Sequence, residues 1–458
     1  MESDQLEPFF RRVYGGKRWI LGLEVAQGAT GTCRRLAQWG CPRPVVIGVR
    51  SGVGPLPDPA IAELHLLGLP PMEMMEGIHA AEDALRDLPA EVQAAVDRFD
   101  PGREALALGV FFSDGRPIAG RRFFGARPAS WRRLEDKVVV DALWDAAGVP
   151  RAPSVVVPLA GGDPASVHAS LDAGLGTVWA GDAGRGFHGG ATFTCRVRAA
   201  DELPRALAHL ARRCTSARVM PFLEGIPCSA HGVVFPDHVV VLRPAEMVVL
   251  RGGPGGFLYC RGGTCWDPPA ERREELRAVV RRVGEHLRRT LGFRGAFTVD
   301  GVMTDRGFRP TELNPRVGAA LGMMKADLPF QLLSDALVEG SVPELDPVAL
   351  EAELLAHADA NRVGSLGITY AAAGVPTLDV PVRLVDGAWV DDPDPAPEAR
   401  AVVGPGVSGG YGNLTLLRPP VGESLGPRAV AFAAWLERHA GASFGPVEAA
   451  VDVSAPGR

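Results

Sequence analysis

Residues 291–324, LGFRGAFTVDGVMTDRGFRPTELNPRVGAALGMM, decide how the rest of the chain is read. The stretch reads as two β-strands, 296–304 and 308–313, joined at Asp305-Arg306-Gly307. Glycine is favoured third in a three-residue hairpin loop, where the chain turns left-handed. With that loop Thr304 faces Phe308, and the register sets Asp300 opposite Glu312. Side chains alternate along a strand, so Asn314 shares their face if the extended conformation continues two residues further. A two-residue loop would slip the register by one and separate the two carboxylates.

Two carboxylates and an amide oxygen are hard ligands, suited to magnesium or manganese. Magnesium keeps several waters and commonly binds one or two carboxylates together with substrate phosphates, so the expected occupant is Mg-nucleotide. The competing reading is a surface hairpin with a solvated acidic face. The small and apolar residues around the pair, flanked by Arg294 and Arg316, weigh against it.

The pattern G-x-R-G-x-x-x-x-D followed by E-x-N-P-R appears here as Gly292, Arg294, Gly295, Asp300, Glu312, Asn314, Pro315 and Arg316. It resembles the metal-binding signature of the ATP-grasp superfamily, which includes D-alanine–D-alanine ligase. The longer string RPAEMVVLR…GGFLYCRGGTCWDPP…FRGAFTVDGVMTDRGFRPTELNPR is similar to a narrower group, the peptide ligases typified by the pheganomycin-forming enzyme, over about residues 134–332. The resemblance implies an α/β protein in three parts. These are an N-terminal α/β sheet domain (1–130), an ATP-grasp domain of two α+β subdomains gripping ATP (131–344), and a small C-terminal α+β domain (345–458).

Composition bounds this reading without naming a function. A chain of 458 residues is too long for one core. Its 46% apolar content, 22% charged content and net charge of −6 offer no electrostatic case for nucleic acid. No apolar run approaches the roughly 18–20 residues that span a bilayer. The seven cysteines are scattered and odd in number, which fits a reduced, cytoplasmic setting. Of 48 basic residues only Lys17, Lys137 and Lys325 are lysine, so each is a good candidate for a required ammonium.

Taken in order, residues 19–25, 44–49 and 105–112 read as buried strands separated by helices at 33–39 and 80–99. Residues 134–147 read as a helix stopped by Gly148-Val149-Pro150. Lys137 falls in its first turn, unfavourable for a lone cation unless a phosphate meets it. The resemblance makes Lys137, in the matching Asp136-Lys137 pair, an ATP-contacting lysine. Between Gly181 and Gly190, the loop GDAGRGFHGG exposes backbone N–H groups that can cradle phosphates. Gly184, Gly186, Gly189 and Gly190 are the candidates, with Arg185 as a phosphate-facing cation. The superfamily's usual second lysine, expected near the strand before this loop, is absent. The segment after the strand at 217–220 matches the superfamily's hinge, where adenine lies. Met220, Phe222 and Leu223 fit that position, and Glu224 is the nearest ribose partner.

Residues 231–242 and 245–250 read as strands, followed by a glycine-rich loop at 252–256. Arg243, Arg251 and Arg261 lie around it and are candidates to hold a substrate carboxylate. Residues 269–291 form a long amphipathic helix, 328–338 a shorter one, and 427–439 the last.

The reaction implied is ATP-dependent amide formation through an acyl phosphate. Asp300, Glu312 and Asn314 would hold Mg²⁺ or Mn²⁺, Arg316 would join the nucleotide site, and Arg294 would stabilise the oxyanion. Small carboxylate and amine or peptide substrates, release of ADP and phosphate, and assembly as a homodimer complete the expectation. A dipeptide or γ-glutamyl-type ligase, a phosphotransferase and an idle nucleotide-binding module are the alternatives.

Overall fold

The computed structural model describes residues 5–109, 115–184, 186–252, 256–325, 327–372, 374–392 and 394–454. Arg185 and the centre of the glycine-rich loop at 252–256 lie outside the described residues, as does part of the apolar run at 105–112.

The N-terminal sheet is parallel, in the order Glu63–Leu66, Val45–Arg50, Trp19–Val25, Leu106–Gly109. Its two central strands are short, mostly apolar runs, as expected of strands covered on both faces, while Glu63–Leu66 (ELHL) at the edge is only partly buried. Phe9, Phe10, Tyr14, Trp19, Trp39 and Phe124 pack together in the core on one side of it. The helix expected over 80–99 is two helices, Met74–Ala84 and Ala90–Phe99. Pro89 separates them, because proline lacks the N–H that would carry the first helix onward.

The central sheet is antiparallel and, among the described residues, twelve-stranded. Gly307–Asn314 forms one edge, followed by Gly295–Thr304, Ile226–Val234, Ala245–Gly252 and Phe257–Gly263. The last of these pairs with Gly364–Ala371, so the strands of the C-terminal third extend the same sheet. The expected strand at 231–242 is a hairpin, with Val239–Val241 folded back on Ile226–Val234. Helix Ala270–Leu291 buries Leu276, Val279, Val280, Val283 and Leu287 against this sheet, as its stripe foretells. Helix Pro347–Ala360 was not anticipated. Its signal was Asp346-Pro347, a side-chain cap on the Val348 N–H followed by proline at the first helical position.

A third, four-stranded sheet orders Val155–Pro158, Ser216–Pro221, Thr177–Gly181 and Thr194–Val197. It has its own small core around Trp179, Leu203, Leu210 and Val219. No helix among the described residues is long and apolar enough to cross a membrane.

Candidate active site

The hairpin that carries the acidic pair reaches the expected pairing by a different route. Thr304 pairs with Gly307 and Met303 with Phe308, so the turn is one residue tighter than expected. Left alone, that register would face Asp300 with Thr311. A bulge between Asp300 and Gly301 corrects the slip, with Thr311 as the extra residue. Asp300 is then opposite Glu312 and Thr298 opposite Asn314. Gly307 still takes the left-handed conformation, at φ 92°. The tighter turn is pinned by the Thr304 hydroxyl, which donates to the Gly307 carbonyl and accepts from the Arg306 N–H.

Ser229 Oγ donates to Asp300 Oδ1 at 2.5 Å, and Asn314 Nδ2 donates to Asp300 Oδ2 at 2.8 Å. Arg316 donates to Asn314 Oδ1 at 3.0 Å and to Glu135 at 3.4 Å. Lys137 Nζ lies 3.2 Å from Glu312 Oε1, its side chain only 9% exposed. Burial and then the charge of Glu312 push the Asp300 carboxyl up to about 7, against the opposing pull of Ser229, Arg316 and Lys137. Two carboxylates held this close fit a hard divalent cation, which would relieve their repulsion. For Asn314 to join them as a ligand, its amide must turn so that Oδ1 leaves Arg316. Among the described residues no three His, Cys, Asp or Glu side chains cluster for metal binding. A hard cation on two carboxylates would take its remaining oxygen ligands from water, an amide or a phosphate.

Lys137 is not in a helical turn. The sequence reading placed a helix over 134–147, but the helix is Val140–Ala146 and Lys137 lies in the turn before it. That position points the ammonium at Glu312 instead of along the helix.

A cavity of about 430 Å³ opens over these groups. Met220, Phe222 and Leu223 line it together with Lys137, Gly189, Gly190, Arg316 and the acidic pair. The other two loop glycines face elsewhere. The Gly184 N–H is taken by Asp182, and Gly186 packs against His79 of helix Met74–Ala84. Asp182 anchors the loop: burial raises its pKa, but hydrogen bonds from Ser216, Thr215 and Gly184 outweigh that and bring it to about 2.

Other assignments change. Arg294 is outside the cavity lining and donates to the Phe293 carbonyl at 2.7 Å; the next residue, Gly295, opens the strand in the left-handed conformation (φ 96°). Arg243 is buried and holds Asp267 and Asp359, so it is structural. Arg251 lines the cavity but is paired with Glu224, its guanidinium 5.1 Å from the Phe222 ring. Glu224 holds that arginine and is not itself part of the cavity lining. Arg261 does line the cavity.

The sequence reading missed Arg218. It neighbours Ala180 across the strand pair, lines the cavity, and is held by Asp141 at 2.7 Å. A cation thus stands beside the position that lacks a lysine, on the adjacent strand, where no linear motif marks it. Glu24 was also missed. It sits at the carboxyl end of strand Trp19–Val25, where open α/β sheets place ligands. Burial raises its pKa, with Arg50 at 3.4 Å opposing.

No protein-family model and no curated protein matches the sequence. Solved structures do match. The ADP complex of N5-carboxyaminoimidazole ribonucleotide synthetase superposes with TM-score 0.50 at 11% identity, over 88% of this chain and 93% of that one. The biotin carboxylase domain of Hydrogenobacter thermophilus 2-oxoglutarate carboxylase, with MgADP and bicarbonate, gives 0.52 at 14% identity, over 94% and 91%. The Aspergillus clavatus N5-carboxyaminoimidazole synthase, with ADP and its aminoimidazole ribonucleotide, gives 0.50 at 11%, over 88% and 94%. The chain has the ATP-grasp fold.

Proposed function

We propose that the protein is an ATP-dependent, ADP-forming carboxylate–amine ligase of the peptide or amino-acid ligase kind. The observation that carries this reading is the facing of Asp300 and Glu312 across a bulged strand pair, beside Lys137, in one cavity with Met220, Phe222 and Leu223. The structural neighbours with bound ADP and MgADP support it.

ATP lies with adenine against Met220, Phe222 and Leu223, and its phosphates run past Gly189, Gly190 and Lys137 toward the acidic pair. A divalent ion, which Asp300, Glu312 and Asn314 would hold, supplies charge neutralisation at the phosphate oxygens. A substrate carboxylate oxygen attacks the γ-phosphorus, the bond to the β-phosphate oxygen breaks, and ADP leaves. The amine nitrogen then attacks the acyl carbon, and phosphate departs with that carboxylate oxygen. Arg316, beside Asn314, is the guanidinium positioned for the developing negative charge, the role first expected of Arg294. Glu24, with its raised pKa, takes the proton that the amine must lose.

The test is a screen of carboxylic acids with ATP, Mg²⁺ and hydroxylamine, a small nucleophile that intercepts acyl phosphates as hydroxamates. Acid-dependent ADP release with matching hydroxamate supports the ligase. ADP release with a stable phosphorylated product and no hydroxamate would instead show a phosphotransferase, and nucleotide binding with no turnover for any acid an idle module.

A further inference from the structure

A second chamber of about 1000 Å³ adjoins the nucleotide cavity. Glu24, Met74, Gly190, Tyr259 and Arg261 line both, so the two spaces meet at these side chains. Its walls come from the ends of the first two N-terminal strands, from helix Met74–Ala84, and from strands Phe257–Gly263, Gly364–Ala371 and Gly409–Leu416. We infer that this chamber seats the body of the carboxylic acid to be activated, and that the acid is bulky and apolar or aromatic, with Arg261 holding its carboxylate at the junction. The inference rests on the ligase reading above and adds the class of acid.

Arg261 is built for that place. It takes the left-handed conformation at φ 64°, unusual for a residue with a side chain, beside an irregularity in the pairing of its strand with Ala245–Gly252. Such bulges re-aim side chains next to active sites. Its guanidinium donates to the neutral Asn413 Oδ1 at 3.3 Å, and among the described residues no carboxylate is within ion-pair distance. Arg243 and Arg251 contrast with it, since each is matched by an acid of the chain. The room for Arg261 is made by Gly367. A Cβ there would stand 2.6 Å from Arg261 Cδ and 2.4 Å from Tyr411 Oη.

The remaining lining says what lies behind the carboxylate. The chain has four tyrosines, and three of them, Tyr259, Tyr370 and Tyr411, line this chamber with Phe257 and Met72. Tyr370 is 5% exposed and its buried hydroxyl has no hydrogen-bond partner among the described residues. Of the carboxylates lining the chamber, Glu73 caps helix Met74–Ala84 and Glu24 is paired with Arg50. Arg261, itself exposed, is thus an unmatched charge among the described residues, on a lining that carries four aromatic rings. A fork for a carboxylate and aromatic surface for an apolar body describe a large acid, and a compact acid would leave most of the chamber to water.

The full-length enzyme is assayed with ATP, Mg²⁺, hydroxylamine and a graded set of acids: bicarbonate, acetate, an aliphatic amino acid, phenylalanine and an aromatic dipeptide. We expect kcat/KM for ADP release and hydroxamate to rise about tenfold or more from the small acids to the aromatic ones. Arg261→Gln should raise KM for the acid roughly 10- to 150-fold, with a smaller fall in kcat and ATP affinity unchanged. Gly367→Ala displaces the Arg261 stem without removing its charge and should give an intermediate rise in KM, with ATP binding again reporting an intact fold. Equal efficiency with acetate, an unchanged KM for the acid in Arg261→Gln, or a rise confined to the KM of an amine substrate would each overturn the inference while leaving the ligase reading intact. If no acid supports ADP release, the ligase reading fails and this inference with it.

Discussion

Replacing Glu312 with glutamine should separate stability from function. Side chains directly opposite on paired strands have Cβ atoms roughly 5 Å apart. Two unit charges at about 5 Å repel by roughly 3 kcal/mol at the effective dielectric suited to partly buried sites. Asp300 registers this repulsion in its carboxyl, raised to about 7 by burial and by Glu312. The variant removes the repulsion but also strips Lys137 of its partner at 3.2 Å. The two effects oppose, and the amide can still accept a hydrogen bond from the ammonium. Unfolding free energy of the metal-free protein should therefore stay within about 1 kcal/mol of the parent, on either side. Turnover should fall by about a hundredfold or more, because the cation site loses one of two charges where phosphate charge must be neutralised. The assay pairs denaturant unfolding with ADP release over a magnesium titration. Near-normal turnover at saturating Mg²⁺ would refute the assignment. So would a loss of several kcal/mol of stability, which would make Glu312 a structural anchor.

Two further perturbations test neighbouring parts. Glu24→Gln should cut amide formation with an alkyl amine about tenfold to a hundredfold, yet lower hydroxamate formation much less, because hydroxylamine is already unprotonated at neutral pH and the one proton its adduct loses can go to water, whereas an alkylammonium must first be deprotonated; product quantitation with the two nucleophiles checks this. Asp182→Asn should lower stability at pH 7 by about 2 kcal/mol, the worth of a carboxyl brought from 3.8 to about 2. The folded pKa is the depressed one, so that stabilisation is present above pH 3.8 and lost as pH falls through about 2; unfolding curves of both proteins across that range should converge at the acid end.

Much of this site was legible in the sequence because it is local. A hairpin carries its own register signals, and Asp300, Glu312 and Asn314 lie within 15 residues of one another. Even there the turn was read as one residue too long. The bulge at Thr311 compensated, and nothing in the apolar and polar alternation announces a single extra residue. What escaped was non-local. Arg218 stands beside Ala180 only because two strands 38 residues apart pair antiparallel. Arg243, Arg251 and Arg261 look alike in the sequence. Their partners decide their roles, and Asp359 lies 116 residues from Arg243. Arg294 looks close to the acids by count, but it lies outside the cavity lining and bonds back to the Phe293 carbonyl. The Pro347–Ala360 helix was readable from its cap, and Pro89 should have divided the helix expected over 80–99.

The central claim is that a substrate carboxylate receives the γ-phosphoryl group before the amine attacks. An acid labelled with ¹⁸O in its carboxylate tests this most directly, by mass analysis of the nucleotide and phosphate after turnover with ATP, Mg²⁺ and an amine. The account predicts one ¹⁸O atom in inorganic phosphate for each amide formed, with unlabelled ADP. Label in AMP, or phosphate released without label, would contradict it.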